Sequence, residues 1–380
     1  MSVRDTFNVF NNYVATTSEV EALRNNPLNK VLLVDTSAKA ALKMYAGSIS
    51  TSEIESITPT GIKAQAKLLL SQRDVDGNTI KPNKFYTGGI LLSGESAIQE
   101  LEMLIKQVCV DKQEQAVVIV FSNPKEVLKK DGFLEGMDTI LKSWDSFVFC
   151  TIDTQDQIRE PLKKTTQLLL IKSHATEPNT TWEVGADAAL AGRVVTMGVG
   201  KVDGVAKELY GITSDKLSIA EGDGGDLTTS EGEAWKELNV NLYTQTVDMR
   251  DETTGMKLLS GKEFVNSWEI NKVKLDLRND ITQFRHEQER LGVSSLDEAQ
   301  VRGVIANRLA ILTVNQDDPE LNPNGIIVAS LVKPIPLDRT LEDNKTKFQF
   351  SIVVSLRGIA DKFQLGITAY TDGRMTVEEV

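Results

Sequence analysis

The chain has 380 residues, of which 41% are hydrophobic and 25% charged, and its formal net charge is −12. That length suits two domains or one domain with a large insertion, and the residue balance is that of a soluble globular protein, which excludes disorder as the default reading. The acidic balance, with no stretch that concentrates Lys and Arg, argues against general nucleic-acid binding; no window is apolar for long enough to cross a bilayer, and the start MSVRDTFNVF lacks a signal-peptide plan, so synthesis and assembly are expected in a cytoplasm.

Residues 1–30 are rich in Asn, which favours caps and turns over element interiors, and they read as an arm or irregular entry. Within them Val3, Phe7 and Val9 can line one face of a short strand that nothing local would cover. Two readings stay open: an intermolecular partner covers that face, or the segment docks on its own chain.

From Lys30 onward strands alternate with helical segments. KVLLV reads as a strand, Thr60–Gln72 as a helix and Phe85–Tyr86 as a short strand. Further on come a helix near Ser96–Val108, a strand at 115–121, a helix near Gly132–Ser143, and strands at 146–152 and 167–173, with a helix starting around Thr154–Gln157 between the last two. Gly185–Val195 then adds an alanine-rich helix. This spacing predicts an α/β layer with a mainly parallel sheet. Asp74–Asn78 starts like a calcium loop, but the twelfth position is Phe85 where a bidentate Glu is needed, so it reads as a turn. Cys109 and Cys150 sit inside apolar runs and read as buried reduced thiols.

Candidate chemistry is sparse. RVVTM followed by Gly198, Gly200 and Gly204 is the nearest approach to a dinucleotide loop, and a nucleotide-binding α/β enzyme using Gly198–Gly204 is the alternative function to weigh. The spacing is G-x-G-x-x-x-G, the preceding element looks as helical as extended, and no acidic strand end follows at the needed distance. Glu221–Asp226 can offer carboxylates to a cation, yet it lacks further ligands and reads as an exposed loop. His174 and His286 lie far apart and away from both cysteines, His286 reads as a surface residue, and neither a Walker loop nor G-x-S-x-G is present. Catalytic residues, metal ligands and cofactors are therefore expected to be none.

The most regular stretch is Phe264–Tyr370. Ile270, Val273, Leu277, Ile281, Phe284 and Leu291 recur at steps that put one apolar stripe along a long helix. A second helix follows, capped by Ser294 or Ser295, with Asp297 and Glu298 in its first turn and Val301, Val304, Ile305, Leu309 and Leu312 on its buried side. Gly325–Val332 reads as a buried strand, and Phe348–Leu356 with Phe363–Ala369 alternate at period two as an antiparallel hairpin. Beyond Tyr370 a Thr371-Asp372-Gly373 turn leaves Arg374–Val380 as a tail that either pairs elsewhere or frays.

The order of many weak matches carries a resemblance. Ser52-Glu53-Ile54, Ala64–Ser71 and Pro82–Tyr86 lead to Trp182, Ala186–Leu190, Arg193–Thr196, Gly200, Ala206–Ile212, Leu238–Tyr243 and Ser260–Phe264, and then to the two helices and the hairpin. Over about Val31–Tyr370 the chain resembles the tail sheath proteins of contractile phage tails and their relatives in bacteriocins and injection machines. The resemblance implies an α/β (α+β) fold: an inner domain of two helices and a β-hairpin built from both chain ends, with an inserted outer α/β domain. On this chain that corresponds to an arm at 1–30, an outer domain at 31–261, an inner domain at 262–373 and a tail at 374–380.

The resemblance also implies a structural, non-enzymatic subunit that forms stacked hexameric rings around a tail tube and contracts, with genome ejection as the outcome in a phage. Its partners would be copies of itself, the tube protein, and baseplate and tail terminator proteins, with neither nucleic acid nor membrane insertion, and its location the virion. Terminal strands would be exchanged through Val3, Phe7 and Val9 at one end and Arg374, Met375, Thr376 and Val377 at the other. The tube would be held by charged side chains of the inner helices, for which the candidates are Arg302, Arg308, Lys272, Lys274, Arg278 and Arg285; a solvated helix face is the competing explanation for each.

Overall fold

A computed structural model describes residues 28–73, 77–109, 116–172, 186–196, 209, 229–245, 251–254, 256–291, 298–314, 325–334, 347–356, 362–370 and 375–379. The chain divides into two units, Met1–Val265 and Asn266–Val380.

The first unit is built on one sheet. Its strands are β1 (Val31–Asp35), β2 (Ala40–Ala46), β3 (Lys84–Gly89), β4 (Val118–Phe121), β5 (Phe147–Ile152), β6 (Leu168–Lys172), β7 (Asn241–Gln245) and β8 (Asp251–Thr254), in the order β2-β3-β1-β4-β5-β6-β7-β8. From β3 to β7 all neighbours are parallel, and β2 and β8 close the two sides antiparallel. The mainly parallel α/β layer expected from the spacing is thus present. Strands β1, β4, β5 and β6 are buried along their whole length. That explains their unbroken apolar sequences, since a parallel strand has helices over both faces and no side turned to water.

Helices α1 (Thr51–Glu55) and α2 (Thr60–Leu70) link β1 to β3 with β2, α3 (Ala97–Val108) leads to β4, and α4 (Pro124–Lys129) and α5 (Phe133–Ser143) lead to β5. Helices α6 (Ala186–Thr196) and α7 (Thr229–Glu237) lie between β6 and β7. Leu32, Ile119, Phe121, Val148 and Leu170 pack with α3, α4 and α5 in one continuous core. On the strand positions between, Phe147 and Phe149 meet Phe264 edge to face, with ring centroids 5.2 and 5.4 Å apart. Helix α6 is buried at every residue, which its Ala and Gly content permits. A Cβ on Gly192 would lie 2.4 Å from the carbonyl oxygen of Leu69, so only glycine lets α6 approach α2 this closely.

Three local expectations change. The helix expected from Thr154–Gln157 is a single 3-10 turn, Gln155–Gln157, because Ile158 turns extended and Pro161 follows. Helix α4 was not anticipated, although Asn123 caps it by accepting from the Glu126 amide (3.3 Å) and Pro124 stands at its first position. Strand β2 was also missed, because most of its residues are exposed and no clean alternation marks it. The calcium-like residues Asp74–Asp76 lie outside the described residues; Arg73 and Thr79 on either side form an isolated antiparallel β-bridge.

The second unit contains most of helix α8 (Phe264–Arg290), helix α9 (Glu298–Leu312), and strands β9 (Ile327–Pro334), β10 (Lys347–Leu356), β11 (Lys362–Tyr370) and β12 (Met375–Glu379). The strands form an antiparallel sheet in the order β12-β11-β10-β9. The hairpin register places Phe348 opposite Ala369 and Phe350 opposite Ile367, and Phe350, Ile352, Val354 and Leu356 are buried while their neighbours are half-buried. The stripe on α8 is buried at Ile270, Val273, Leu277 and Ile281, but Leu291 is 71% exposed and lies beyond the core.

Candidate assembly interface

The cations expected on the helices of the second unit fall into three groups. Arg308 on α9 forks onto Asp280 of α8, with Nε to Oδ2 and Nη2 to Oδ1 both 2.6 Å. Its Nη1 lies 3.8 Å from Asp276 Oδ2, and Lys272 Nζ donates to Asp276 Oδ1 at 2.6 Å. The hydrogen-bonded Asp280 carboxylate, with a smaller contribution from the charge of Asp276, raises the Arg308 guanidinium above its ordinary value against the opposing effect of burial. Arg285 pairs with Glu289 one turn along α8, Nε to Oε1 2.9 Å. These three cations are engaged within the unit. Lys274 is buried and Arg278 half-buried. Arg302 alone of the six is exposed with no ion pair among the described residues. The i,i+4 pairs Lys272–Asp276 and Arg285–Glu289 were legible as spacing; Arg308–Asp280, 28 positions apart, was not.

Of the strand candidates, Met375, Thr376 and Val377 lie on β12, opposite Ala369, Thr368 and Ile367 of β11 in the same chain. Arg374, Val3, Phe7 and Val9 lie outside the described residues. Strands β12 and β9 are the two ends of the sheet, so each has one side with no strand beside it among the described residues.

Next to β9 runs a groove of about 590 Å³, lined by Arg302, Ala306 and Ala310 of α9 and by Ser330 and Val332 of β9. Helix α9 joins the strand where the Val314 amide donates to the Ile327 carbonyl (2.8 Å) and the Ile326 amide to the Leu312 carbonyl (2.9 Å). The buried side of α9 is Val301, Ile305, Leu309 and Leu312; its exposed side carries Ala299, Gly303, Ala306 and Ala310 among polar residues, with Ile311 52% exposed.

The nucleotide alternative loses its support from the fold. Arg193–Thr196 is the end of helix α6 rather than a strand leading into a phosphate loop, and Gly198–Gly204 lies outside the described residues. Among the described residues no group of His, Cys, Asp and Glu could hold a metal ion; Glu221–Asp226 and His174 lie outside them. Cys109 and Cys150 are buried and not joined in a disulfide, and His286 is exposed, its Nδ1 3.5 Å from Glu289 Oε2.

The units define a mixed α/β protein: a doubly covered, mainly parallel sheet followed by a helix pair and a small antiparallel sheet. No protein-family model and no curated protein matches the sequence. Among solved structures, a chain in the six-fold symmetrised cryo-EM structure of the anti-feeding prophage baseplate matches with a TM-score of 0.55 at 11% identity, over 88% of this chain and 90% of that one. That likeness is one of fold: this chain shares the fold of a chain in that baseplate. A sheath tail protein from Desulfitobacterium hafniense matches at 8% identity over 90% of this chain and 96% of that one, with a TM-score of 0.49.

Proposed function

We propose that this chain is a structural, non-enzymatic subunit of a contractile tail sheath: copies stack as rings around a tail tube, and contraction drives the tube through a target cell envelope. The observation that supports this most is the agreement of fold with a baseplate chain over 88% of the sequence. That neighbour belongs to a six-fold assembly, and rings of six are the arrangement we carry over. On this reading the first unit is the outer domain, and the second, with the arm at 1–30, is the inner domain. Its partners are further copies, a tube protein, and baseplate and terminator proteins, and its place is the tail of a virion or virion-like particle.

A helical sleeve needs contacts that do not close on themselves, and an open sheet edge offers unpaired backbone groups that a neighbouring chain can complete. Strand β12 fits this use: it is an end strand made of the last residues and can be supplied to β11 by a neighbour in the register seen here. Tube contact is assigned to the charged sides of α8 and α9, with Arg302, Arg308, Lys272, Lys274, Arg278 and Arg285 as candidates. Where such a cation is already paired it must change partners. Exposed pairs are each worth about 0–1 kcal/mol, which suits a hold that has to release. Electron microscopy of the purified protein tests the function: rings or hollow tubes are expected, and a strict monomer across a wide concentration range would overturn it.

A further inference from the structure

The ladder between β4 and β5 stops short of the carboxyl ends of both strands. Pairing runs from Val118 and Phe147 to Val120 and Phe149. In this parallel pair an amide bonds to the carbonyl one residue before its partner, as Phe147 does to Val117 (3.1 Å), and such bonds recur every second residue. The next rung would join the Thr151 amide to the Phe121 carbonyl, and it is not formed. Side chains from the packed helices α2 and α6 stand in its place. The Thr151 amide donates to Oδ2 of Asp187, in the first turn of α6 (3.2 Å), and the Phe121 carbonyl accepts from Nε2 of Gln65 on α2.

Both inserted groups are buried, Gln65 at 2% exposure and Asp187 at 0%. Gln65 Oε1 has no hydrogen-bond partner among the described residues, a costly state for a polar atom shut off from water. Parity of donors and acceptors says what is missing. The carbonyl end of the rung is met by the Gln65 N–H, which leaves Oε1, an acceptor; the amide end is met by a carboxyl oxygen, also an acceptor. Two acceptors are joined only by a proton. We propose that protonated Asp187 donates to Gln65 Oε1, so that carboxyl and carboxamide together replace the missing rung and clasp α6 to α2, and that ionisation of Asp187 opens the clasp. Burial holds the Asp187 carboxyl up at about 6 against the amides of Ala188 and Thr151, so the proton is in place in mildly acidic solution.

No cation among the described residues bonds to Asp187. Helix α6 packs on α2, β1, β4, β5 and β6. From α2, Lys63 and Lys67 are paired with Glu55, and from β1, Asp35 accepts from Ser37 and Ser122. Strand β4 has no titratable residue, β5 brings the Cys150 thiol, which burial keeps protonated, and Lys172 of β6 donates to the Asp153 carbonyl (2.6 Å). Arg193 of α6 itself donates to the Arg73 carbonyl. The clasp depends on the fold of the first unit alone and stands whether or not the chain assembles.

The test is amide hydrogen exchange of the full-length chain, read on peptides covering 147–152 and 186–196 and corrected for the intrinsic effect of pH on exchange. In the native chain these amides should exchange about tenfold faster at pH 8 than at pH 5, as the loss of one buried hydrogen bond implies. Asp187→Asn carries a permanent N–H donor and should stay slow at both values. Gln65→Met removes the acceptor and should abolish the step. Gln65→Glu sets two carboxyls to share one proton and should move the midpoint up by about one pH unit or more; it decides the matter if Gln65→Met does not fold. No step in the native chain overturns the clasp. A step that survives Gln65→Met, or a midpoint that Gln65→Glu leaves in place, overturns Gln65 as the acceptor.

Discussion

Arg308 and Asp280 face each other as a two-bonded fork, 2.6 Å on both arms, and this is how α9 is fastened to the middle of α8. Both side chains are about one quarter exposed or less, at 25% and 22%, so water screens the pair only in part. Arg308 also lies 3.8 Å from Asp276, whose other oxygen accepts from Lys272.

Replacing Arg308 by Lys keeps the charge but loses the planar fork. Stability should fall by about 1–2 kcal/mol, and Arg308→Ala should cost more because Asp280 is left half-buried without its partner. Thermal unfolding of the second unit measures both, and the loss for Arg308→Lys should shrink in high salt.

Gly192→Ala should destabilise the first unit. The added methyl meets the Leu69 backbone carbonyl at 2.4 Å, a neighbour that cannot swing aside, so α6 or α2 must shift at a cost of about 1–3 kcal/mol. Denaturant unfolding followed by circular dichroism measures the change. Gly303→Ala on α9, where a Cβ meets nothing within 4 Å, is the control and should be neutral or slightly stabilising.

Asp187 gives a pH signature. Burial pushes its carboxyl up to about 6 from 3.8, even though the Ala188 and Thr151 amides donate to it at 2.8 and 3.2 Å. Burial and, secondarily, the charge of Asp187 hold the adjacent Cys150 thiol well above its usual range. The folded state therefore holds this proton more tightly than the unfolded state. The associated stability is complete below pH 3.8 and is lost as pH rises to about 6, by at most about 3 kcal/mol. Asp187→Asn cannot ionise, so the difference in unfolding free energy between variant and native chain should shift in the variant's favour across that interval and level off above it. Paired denaturation series from pH 4 to pH 8 read this directly.

Deletion of Arg374–Val380 should leave both units folded and abolish assembly. Among the described residues strand β12 pairs with β11 alone, so its loss exposes one strand edge without opening the helix core. Unchanged circular dichroism with no rings or tubes by electron microscopy is the expected pair of results; unchanged tubes would remove β12 from the assembly contact.

The sequence by itself determined the elements whose signal is local. Ile270, Val273, Leu277 and Ile281 repeat at helical steps and are buried together, and Phe350, Ile352 and Val354 alternate and are buried together. The apolar runs at β1, β4, β5 and β6 announced strands covered on both faces. Periodicity reports which side of an element is dry, and that depends on near neighbours alone. What only the tertiary structure decided are relations between distant residues: the placing of β1 between β3 and β4, the fork from Arg308 back to Asp280, and the strand edge of β9 beside Ala306 and Ala310. Nothing in the sequence around Arg308 says that its charge is already engaged, whereas Arg302, six positions earlier, stays exposed. An ion pair or a groove exists only once chain segments far apart are brought together, so their pattern is written in the packing rather than in any window of residues.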